Sequence, residues 1–409
     1  MYLNPENEAD IVAFDPPVPV DAGPWAIRRV LRHLDCGRLT VILPSGRRIA
    51  HKGSQPGPHG VVEVRSNRAF RRVALRGDVG FAEGYVAGDW TSPDLTALIA
   101  LAAGNVARLD RTLEGFWPVR LWRLLGHALK RNSARGSRRN IAFHYDLGND
   151  FYRLWLDQSM TYSSACRITP GQSLEAAQAA KLDRIAELLA FDEGDEVLEV
   201  GCGWGALATH LAARGARVTG LTLSAEQLAH GCAQVEAKGL ADRIDLRLQD
   251  YRDERGRYDR IVSIEMLEAV GEAYWPAYFD TLRAALKPGG RIVIQAITIR
   301  EDRFDSYKRS PDFIQRYIFP GGMLPTTTIL RREAVQAGLA VTYEEMFGGG
   351  YAATLAEWRR RFDAAWPEIA KLGFDPRFRR LWDYYLSYCE AGFRTGTIDV
   401  GLYVLEPAA

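Results

Sequence analysis

Cysteine is scarce in this chain. Five residues, Cys36, Cys166, Cys202, Cys232 and Cys389, are scattered over 409 positions without a C-x-x-C spacing, which excludes a disulfide-stapled scaffold and a cysteine-built zinc site. No basic-then-apolar signal segment opens the sequence, so the expectation is a reduced, metal-free, cytoplasmic protein. Long apolar runs are missing as well. The longest, Leu95 to Ala103, is well short of the roughly 20 residues that cross a bilayer. Net charge is almost absent, with 52 basic and 51 acidic residues. Global electrostatics therefore leave no footprint of a nucleic-acid partner, and only local patches carry weight.

One such patch is defined by an absence. Between Glu114 and Asp146 there is no acid, while Arg120, Arg123, Lys130, Arg131, Arg135, Arg138 and Arg139 fall in the interval and Leu121, Leu124, Leu125, Ala128 and Leu129 recur at helical spacing. Two readings stay open: a basic helix that merely links domains, or an interfacial amphipathic segment drawn to anionic lipid head groups, at about 1 kcal/mol per base near a charged leaflet.

With 47% hydrophobic residues, the chain can bury one large core or two smaller ones, and its length makes two domains the expectation. From about residue 24 to 93, short alternating runs such as Leu39 to Leu43 and Gly60 to Val64 are punctuated by Gly, Pro and Ser, then comes Phe81 to Trp90 before a short apolar helix. This pattern predicts a small mixed α/β domain. The acidic first twenty residues, with Pro5, Pro16, Pro17 and Pro19, predict a loose arm. The expected division is an N-terminal domain over 1–116, a basic linker over 117–140 and a second domain over 141–409.

The most telling segment of that second domain is Val197 to Gly205, where a hydrophobic strand stops in the glycine-rich turn Gly201-Cys202-Gly203-Trp204-Gly205 and a helix opens. Glycines two apart let a backbone turn sharply and approach a ligand, which suits a nucleoside-bearing cofactor. Small residues at Ala206 to Ala208 leave a dinucleotide site compatible with the turn alone. Downstream, Arg217 to Thr222 and Tyr258 to Ile264 read as strands, and Leu286 to Ile294 as a turn entering another. In this order, with Leu248-Gln249-Asp250 between, they resemble the class I S-adenosylmethionine-dependent methyltransferases. That implies an α/β fold with a Rossmann-like doubly wound sheet, beside the smaller N-terminal mixed α/β domain. The acid that a dinucleotide fold places after its second strand is absent here: the position reads Gly220-Leu221-Thr222, which argues against NAD.

Further stretches narrow the resemblance: His144 to Phe151, Met160 to Ala165, Trp204, Leu223 to Gln227, Tyr317 to Gly321 and Tyr384 to Phe393. Together they look like the cyclopropane-fatty-acyl-phospholipid synthase family, which includes mycolic acid and other lipid methyltransferases. The resemblance implies an unsaturated phospholipid substrate, an anionic membrane surface as partner, and peripheral association with the inner membrane. A homodimer and a separate reductase acting on the product are further partners compatible with it; nucleic acid is not among them. It assigns S-adenosyl-L-methionine to Gly201 and Gly203 beneath the methionine portion, to Thr222, Leu223 and Gln227 at the ribose, to Gln249, Asp250 and Tyr251 at the adenine, and to Tyr162 and Ser163 closing over the methionine end. The plain alternative for Asp250 is a strand-end cap.

Methylation of an isolated alkene leaves a carbocation, so the site needs an apolar tunnel, aromatic faces and one base. Phe313, Tyr317, Phe319, Tyr351, Trp382, Tyr385 and Tyr388 are candidate lining, although most such aromatics are simply core. The family resemblance implies a bicarbonate ion as base, held by Cys, Glu, His and Tyr side chains and backbone near an Ile. On this chain the Glu, Tyr and Ile correspond to Glu268, Tyr351 and Ile297, whereas the Cys has become Ser164 and the His has become Gln295; a position commonly Gly is Glu265. Cys389 matches a Cys near the family's active site and is read as lining.

Glu265 and Glu268 lie just past a central strand, where open α/β sheets bind ligands. If the segment is helical, i,i+3 spacing puts both on one face, and desolvation with mutual repulsion raises one pKa toward neutrality. The expectation is that Glu265 replaces bicarbonate, oriented by Glu268, Tyr351 and Gln295, so that bicarbonate is not required. A solvent-facing or helix-capping Glu265 is the plain alternative. A changed base favours a changed fate for the cation: an exocyclic methylene, precursor of a methyl-branched chain, rather than a cyclopropane ring. A small-molecule or protein methyltransferase and a noncatalytic lipid-binding relative are the competing classes.

Overall fold

The computed structural model describes residue 31 and residues 33–113, 147–169 and 171–408, with backbone alone over 106–113. The expected N-terminal arm and basic linker, and His144 to Asp146, lie outside these residues. The chain forms two compact units: Met1–Gly126, Thr169–Gly171 and Asp375–Thr395 make the first, and His127–Ile168, Gln172–Phe374 and Gly396–Ala409 the second. Among the described residues no helix is long and apolar enough to cross a membrane.

The first unit carries a four-stranded sheet of β1 (Cys36–Ile42), β2 (Arg48–Lys52), β3 (Gln55–Val64) and β4 (Trp90–Thr91), in the order β2-β1-β3-β4. Its helix Arg68–Val86 is kinked at Gly77, whose φ of 59° and ψ of −132° suit only a residue without Cβ. Phe81 to Val86 end this helix, and only Trp90 opens a strand. The apolar helix runs over Leu95–Leu113 and packs on β3 and β1. Close approach is bought with glycine: a Cβ on Gly60 would stand 2.8 Å from Leu98 Cδ1. Asn105 ties the helix to β1, accepting from the Asp35 and Cys36 N–H groups at 2.9 and 3.0 Å. The helix Pro376–Arg394 also belongs here, packed on Leu95–Leu113, with Thr96 donating to buried Glu390 at 2.9 Å. The expected division puts this helix in the domain over 141–409, whereas it belongs to the first unit. It differs because an aromatic, amphipathic helix does not announce which of two cores it faces.

The second unit is built on a seven-stranded sheet: β5 (Glu196–Val200), β6 (Arg217–Thr222), β7 (Ile244–Leu248), β8 (Tyr258–Ile264), β9 (Leu286–Ile299), β10 (Leu339–Met346) and β11 (Ile398–Pro407), in the order β10-β11-β9-β8-β5-β6-β7. The five strands β5 to β9 pair in parallel, and β11 is antiparallel to both neighbours. β6 and β8 have the bounds their apolar runs indicate. Parallel strands covered on both faces lose alternation, and Val197, Leu198 and Val200 on β5 are all buried, as are Ile261 and Val262 on β8. On the helix Trp275–Ala285, Trp275, Tyr278, Phe279 and Leu282 recur at i, i+3, i+4 and i+7 and enter the same core. The chain winds from β5 outward through β6 and β7, then returns to β8 on the other side of β5. In open sheets of this kind such a reversal marks the usual ligand position, beyond the carboxyl ends of β5 and β8.

Candidate active site

The turn after β5 stands at this position. Gly201, Gly203 and Gly205 all have positive φ, at 84°, 53° and 86°, and the Gly201 and Cys202 N–H groups both donate to the Leu221 carbonyl, which pins the turn to the end of β6. A Cβ on Gly201 would press on Met266 at 3.1 Å, whereas one on Gly203 would meet no protein atom within 4 Å. A backbone cradle with open space above Gly203 fits a cofactor lying against the turn. Beside it, Thr222 and Gln227 are buried, the Thr222 hydroxyl donating to Gln227 Oε1 at 2.9 Å, and Ser224 caps the helix Ala225–Ala237 by accepting from the Gln227 N–H. The Leu223 side chain is half-buried.

At the end of β7 the Gln249 N–H reaches the Thr222 carbonyl at 3.0 Å, and its side chain donates to Glu254 at 3.0 Å. Asp250 is buried, accepts from the Arg252 N–H and pairs with the Arg252 guanidinium at 2.6 Å. It caps the short turn Tyr251–Asp253, the plain alternative held for it, and this partnering occupies both carboxylate oxygens. Tyr251 packs edge-on to Tyr278 at 5.7 Å.

Glu265 is the centre of the second half of the site. Its Oε1 accepts from the Ser164 N–H at 2.9 Å and from Gln295 Nε2 at 2.6 Å, and its Oε2 accepts from the Tyr351 hydroxyl at 2.6 Å. The residue itself is not helical. It sits at φ 51°, an uncommon conformation for a residue with a Cβ, and the helix Leu267–Val270 begins only afterwards. The expected helical pairing of Glu265 and Glu268 is thus corrected: the break at the end of β8, not an i,i+3 repeat, brings them together. Glu268 does not hold Glu265 either. One of its oxygens takes the Ile297 N–H, the other has no hydrogen-bond partner among the described residues, and its carbonyl accepts from the Met323 N–H at 2.8 Å.

Burial pushes the Glu265 carboxyl above its ordinary range, while Tyr351, the Ser164 N–H, Lys181 and Gln295 pull it back. Glu268 is pushed up to about 8, first by burial and then by the negative charge of Glu265. The aromatic wall is continuous with this cluster. Tyr351 packs edge-on against Trp358 at 6.1 Å, and Trp358 faces Tyr162 at 5.3 Å.

Residues 132–402 match the mycolic acid cyclopropane synthetase family. The chain belongs to that family. It is 39% identical over 388 residues to the tuberculostearic acid methyltransferase UfaA1 of Mycobacterium tuberculosis, covering 93% of this chain and 89% of that protein. To the cyclopropane-fatty-acyl-phospholipid synthase of Escherichia coli K12 it is 35% identical, over 86% of this chain and 88% of that protein. The solved structure of mycolic acid cyclopropane synthase CmaA1, complexed with SAH and CTAB, superposes with a TM-score of 0.62 at 30% identity, over 68% of this chain and 99% of that one. This synthetase-family chain is accordingly an S-adenosylmethionine-dependent methyltransferase acting on fatty acyl lipid, with the class I fold.

Of the residues singled out from sequence, the structure brings Ser164, Gln295 and Tyr351 onto Glu265. The Ser164 hydroxyl plays no part, since it donates to the Ala165 carbonyl at 2.8 Å. Cys389, Trp382, Tyr385 and Tyr388 lie on the helix Pro376–Arg394 of the first unit. Sequence reasoning passed over Lys181, Gln178 and Glu199, all buried. A signal existed: on the helix Leu174–Leu189 the buried stripe Leu174, Ala177, Gln178, Lys181, Leu182 and Ile185 follows helical spacing, and a lysine in that stripe breaks an apolar face.

Proposed function

We propose that this enzyme methylates the double bond of an unsaturated phospholipid acyl chain and releases an exocyclic methylene product, with Glu265 as the base. The observation that carries this reading is the convergence of the Ser164 N–H, the Gln295 amide and the Tyr351 hydroxyl on one carboxylate. These are positions that the family resemblance gives to the holding of bicarbonate. Each already gives a donor to Glu265, and an added anion would meet the charge of that carboxylate at short range. Bicarbonate does not fit this arrangement.

Bound against the Gly201 to Gly205 turn, S-adenosylmethionine supplies an electrophilic sulfonium methyl. Gly201, Gly203, Thr222, Leu223, Gln227, Gln249, Asp250, Tyr251, Tyr162 and Ser163 are the residues assigned to hold it. The wall of Tyr162, Trp358 and Tyr351 excludes water and offers ring faces to positive charge on the acyl chain. Three donors on Glu265 temper its basicity, which delays proton removal and lets a hydride shift move the positive charge to the methyl-bearing carbon. Glu265 then takes a proton from the methyl, and the C–H electrons become the C=CH2 bond. Saturating that bond requires two electrons and two protons that methyl transfer does not supply, so a separate reductase completes a methyl branch. Similarity to a tuberculostearic acid methyltransferase over nearly the whole chain supports this product. The second reading, proton loss before the shift and closure of a cyclopropane ring, is favoured by similarity to the Escherichia coli synthase. The basic interval Arg120 to Arg139 suits an anionic leaflet that presents the substrate.

Lipids from a host expressing the enzyme test the reading. The two products have equal mass, so the fatty acid esters are ozonised. A ketone in place of the methylene is the expected result, and esters that resist ozone would establish the cyclopropane.

A further inference from the structure

A buried lysine needs a reason, because removing an ammonium group from water is costly unless it is paired. Lys181 is 1% exposed, and its Nζ donates to Ser163 Oγ at 2.6 Å. One helical turn earlier, the Gln178 amide donates to the Ser163 carbonyl at 2.8 Å. One residue later, the Ser164 N–H is on Glu265. The ionisable groups that face Lys181 are Glu265 at the end of β8, Asp157 and Cys166 on the segment before the helix, and Glu199 on β5; burial pushes the Cys166 thiol up to about 11, so it stays neutral. Two of these carboxyls are themselves displaced upward, Glu199 to about 8 by burial and Glu265 by burial. Burial lowers Lys181 to about 8, and the Glu265 carboxylate is the first of the groups that oppose the fall by favouring its charged form.

We propose that Lys181 is a positioning residue for Glu265: with Gln178 it clamps Ser163 by side chain and carbonyl, which holds the Ser164 N–H on the carboxylate, and its positive charge favours the ionised, proton-accepting form of Glu265. The inference rests on the reading of Glu265 as base. A lysine without this task would be replaceable by a neutral side chain of similar length, since the helix Leu174–Leu189 already has an apolar stripe to pack.

The test uses Lys181→Met in the full chain, read in two ways. The protonated-carboxyl infrared band lost in Glu265→Gln identifies the Glu265 signal, and its pH midpoint is followed in the ligand-free protein. Lys181→Met is expected to raise that midpoint by about one pH unit, in the range for removal of a nearby opposite charge. In turnover it is expected to move the acidic limb of the kcat profile up by the same interval and to lower kcat at pH 7 by about tenfold. Lys181→Arg keeps the charge and is expected to return the midpoint most of the way. An unmoved midpoint in folded Lys181→Met overturns the proposal, as does a rise in KM for S-adenosylmethionine with the kcat profile unmoved. Should Lys181→Met fail to fold, Ser163→Ala removes the clamp's hydroxyl and must raise the midpoint in the same direction; an unmoved midpoint there overturns the proposal equally. Glu265→Gln separates the two ideas. If it is fully active, the base assignment falls, whereas an inactive Glu265→Gln beside an unaltered Lys181→Met leaves the base standing and removes the lysine.

Discussion

Glu265 and Gln295 hold each other twice: the Gln295 amide donates to Glu265 Oε1 at 2.6 Å, and the Glu265 backbone N–H donates to the Gln295 carbonyl at 2.8 Å. The second bond continues the β8 to β9 ladder just as Glu265 turns to positive φ. The carboxylate is therefore fixed by the sheet itself, and a fixed base loses little orientation when it acts.

Glu265→Gln keeps size and polarity but cannot take a proton. Turnover is expected to fall about 100-fold or more while S-adenosylmethionine affinity stays within a few-fold. Wild-type turnover in rigorously degassed buffer is expected to match that in bicarbonate. A tenfold stimulation by bicarbonate, together with full activity of Glu265→Gln, would return the chain to a bound-anion mechanism.

Tyr351→Phe removes the hydroxyl that donates to Glu265 Oε2 at 2.6 Å. That bond favours the charged form, so its loss raises the Glu265 pKa further. A base must be ionised to act. The acidic limb of the kcat profile is expected to move to higher pH, and an unmoved limb contradicts the assigned contact.

Glu268 affects stability with a definite sign. Its carboxyl titrates near 4.5 when unfolded and near 8 in the fold, so between these values the folded state binds the extra proton and stability falls as pH rises. Glu268→Gln removes this dependence and keeps an acceptor for the Ile297 N–H. Its melting temperature is expected to exceed that of wild type at pH 8 and to match it more closely at pH 5, as calorimetry across that range would register.

Gly203→Val places an isopropyl group where a Cβ meets no protein atom. At φ 53° the β-branched side chain also strains the turn, so the melting temperature is expected to fall, with the fold persisting by circular dichroism below it while calorimetric binding of S-adenosylmethionine is lost. Unchanged affinity in a folded variant would move the cofactor elsewhere.

Neutralising Arg131, Arg135, Arg138 and Arg139 together is expected to weaken association with anionic vesicles, most visibly at low salt, and to spare cofactor affinity. Equal vesicle binding by wild type and variant at low salt identifies the interval as a plain linker.

Much of the second unit is legible without coordinates, for local reasons. The runs Arg217 to Thr222 and Tyr258 to Ile264 are apolar because parallel strands are buried on both faces, and the Gly201 to Gly205 turn needs glycine because its φ angles are positive. The candidate base was legible as a residue, through an extra carboxylate at the end of a strand. Its geometry was not, since spacing suggested a helix where the chain makes a left-handed break. The allegiance of Pro376–Arg394 was equally hidden, because an aromatic stripe packs against either of two apolar cores with similar gain.

By itself, then, the sequence determined the order of strands and helices, the glycine cradle, and the identities of Glu265, Ser164 and Gln295. These follow from periodicity, backbone freedom and residue identity, which are properties of short segments. Only the tertiary structure decided that Ser164, Gln295 and Tyr351 meet on one carboxylate, that Glu268 turns to Ile297, and that Lys181 lies buried against Ser163. Desolvation and charge coupling are set by atoms drawn from segments far apart in the chain, and no local pattern contains them.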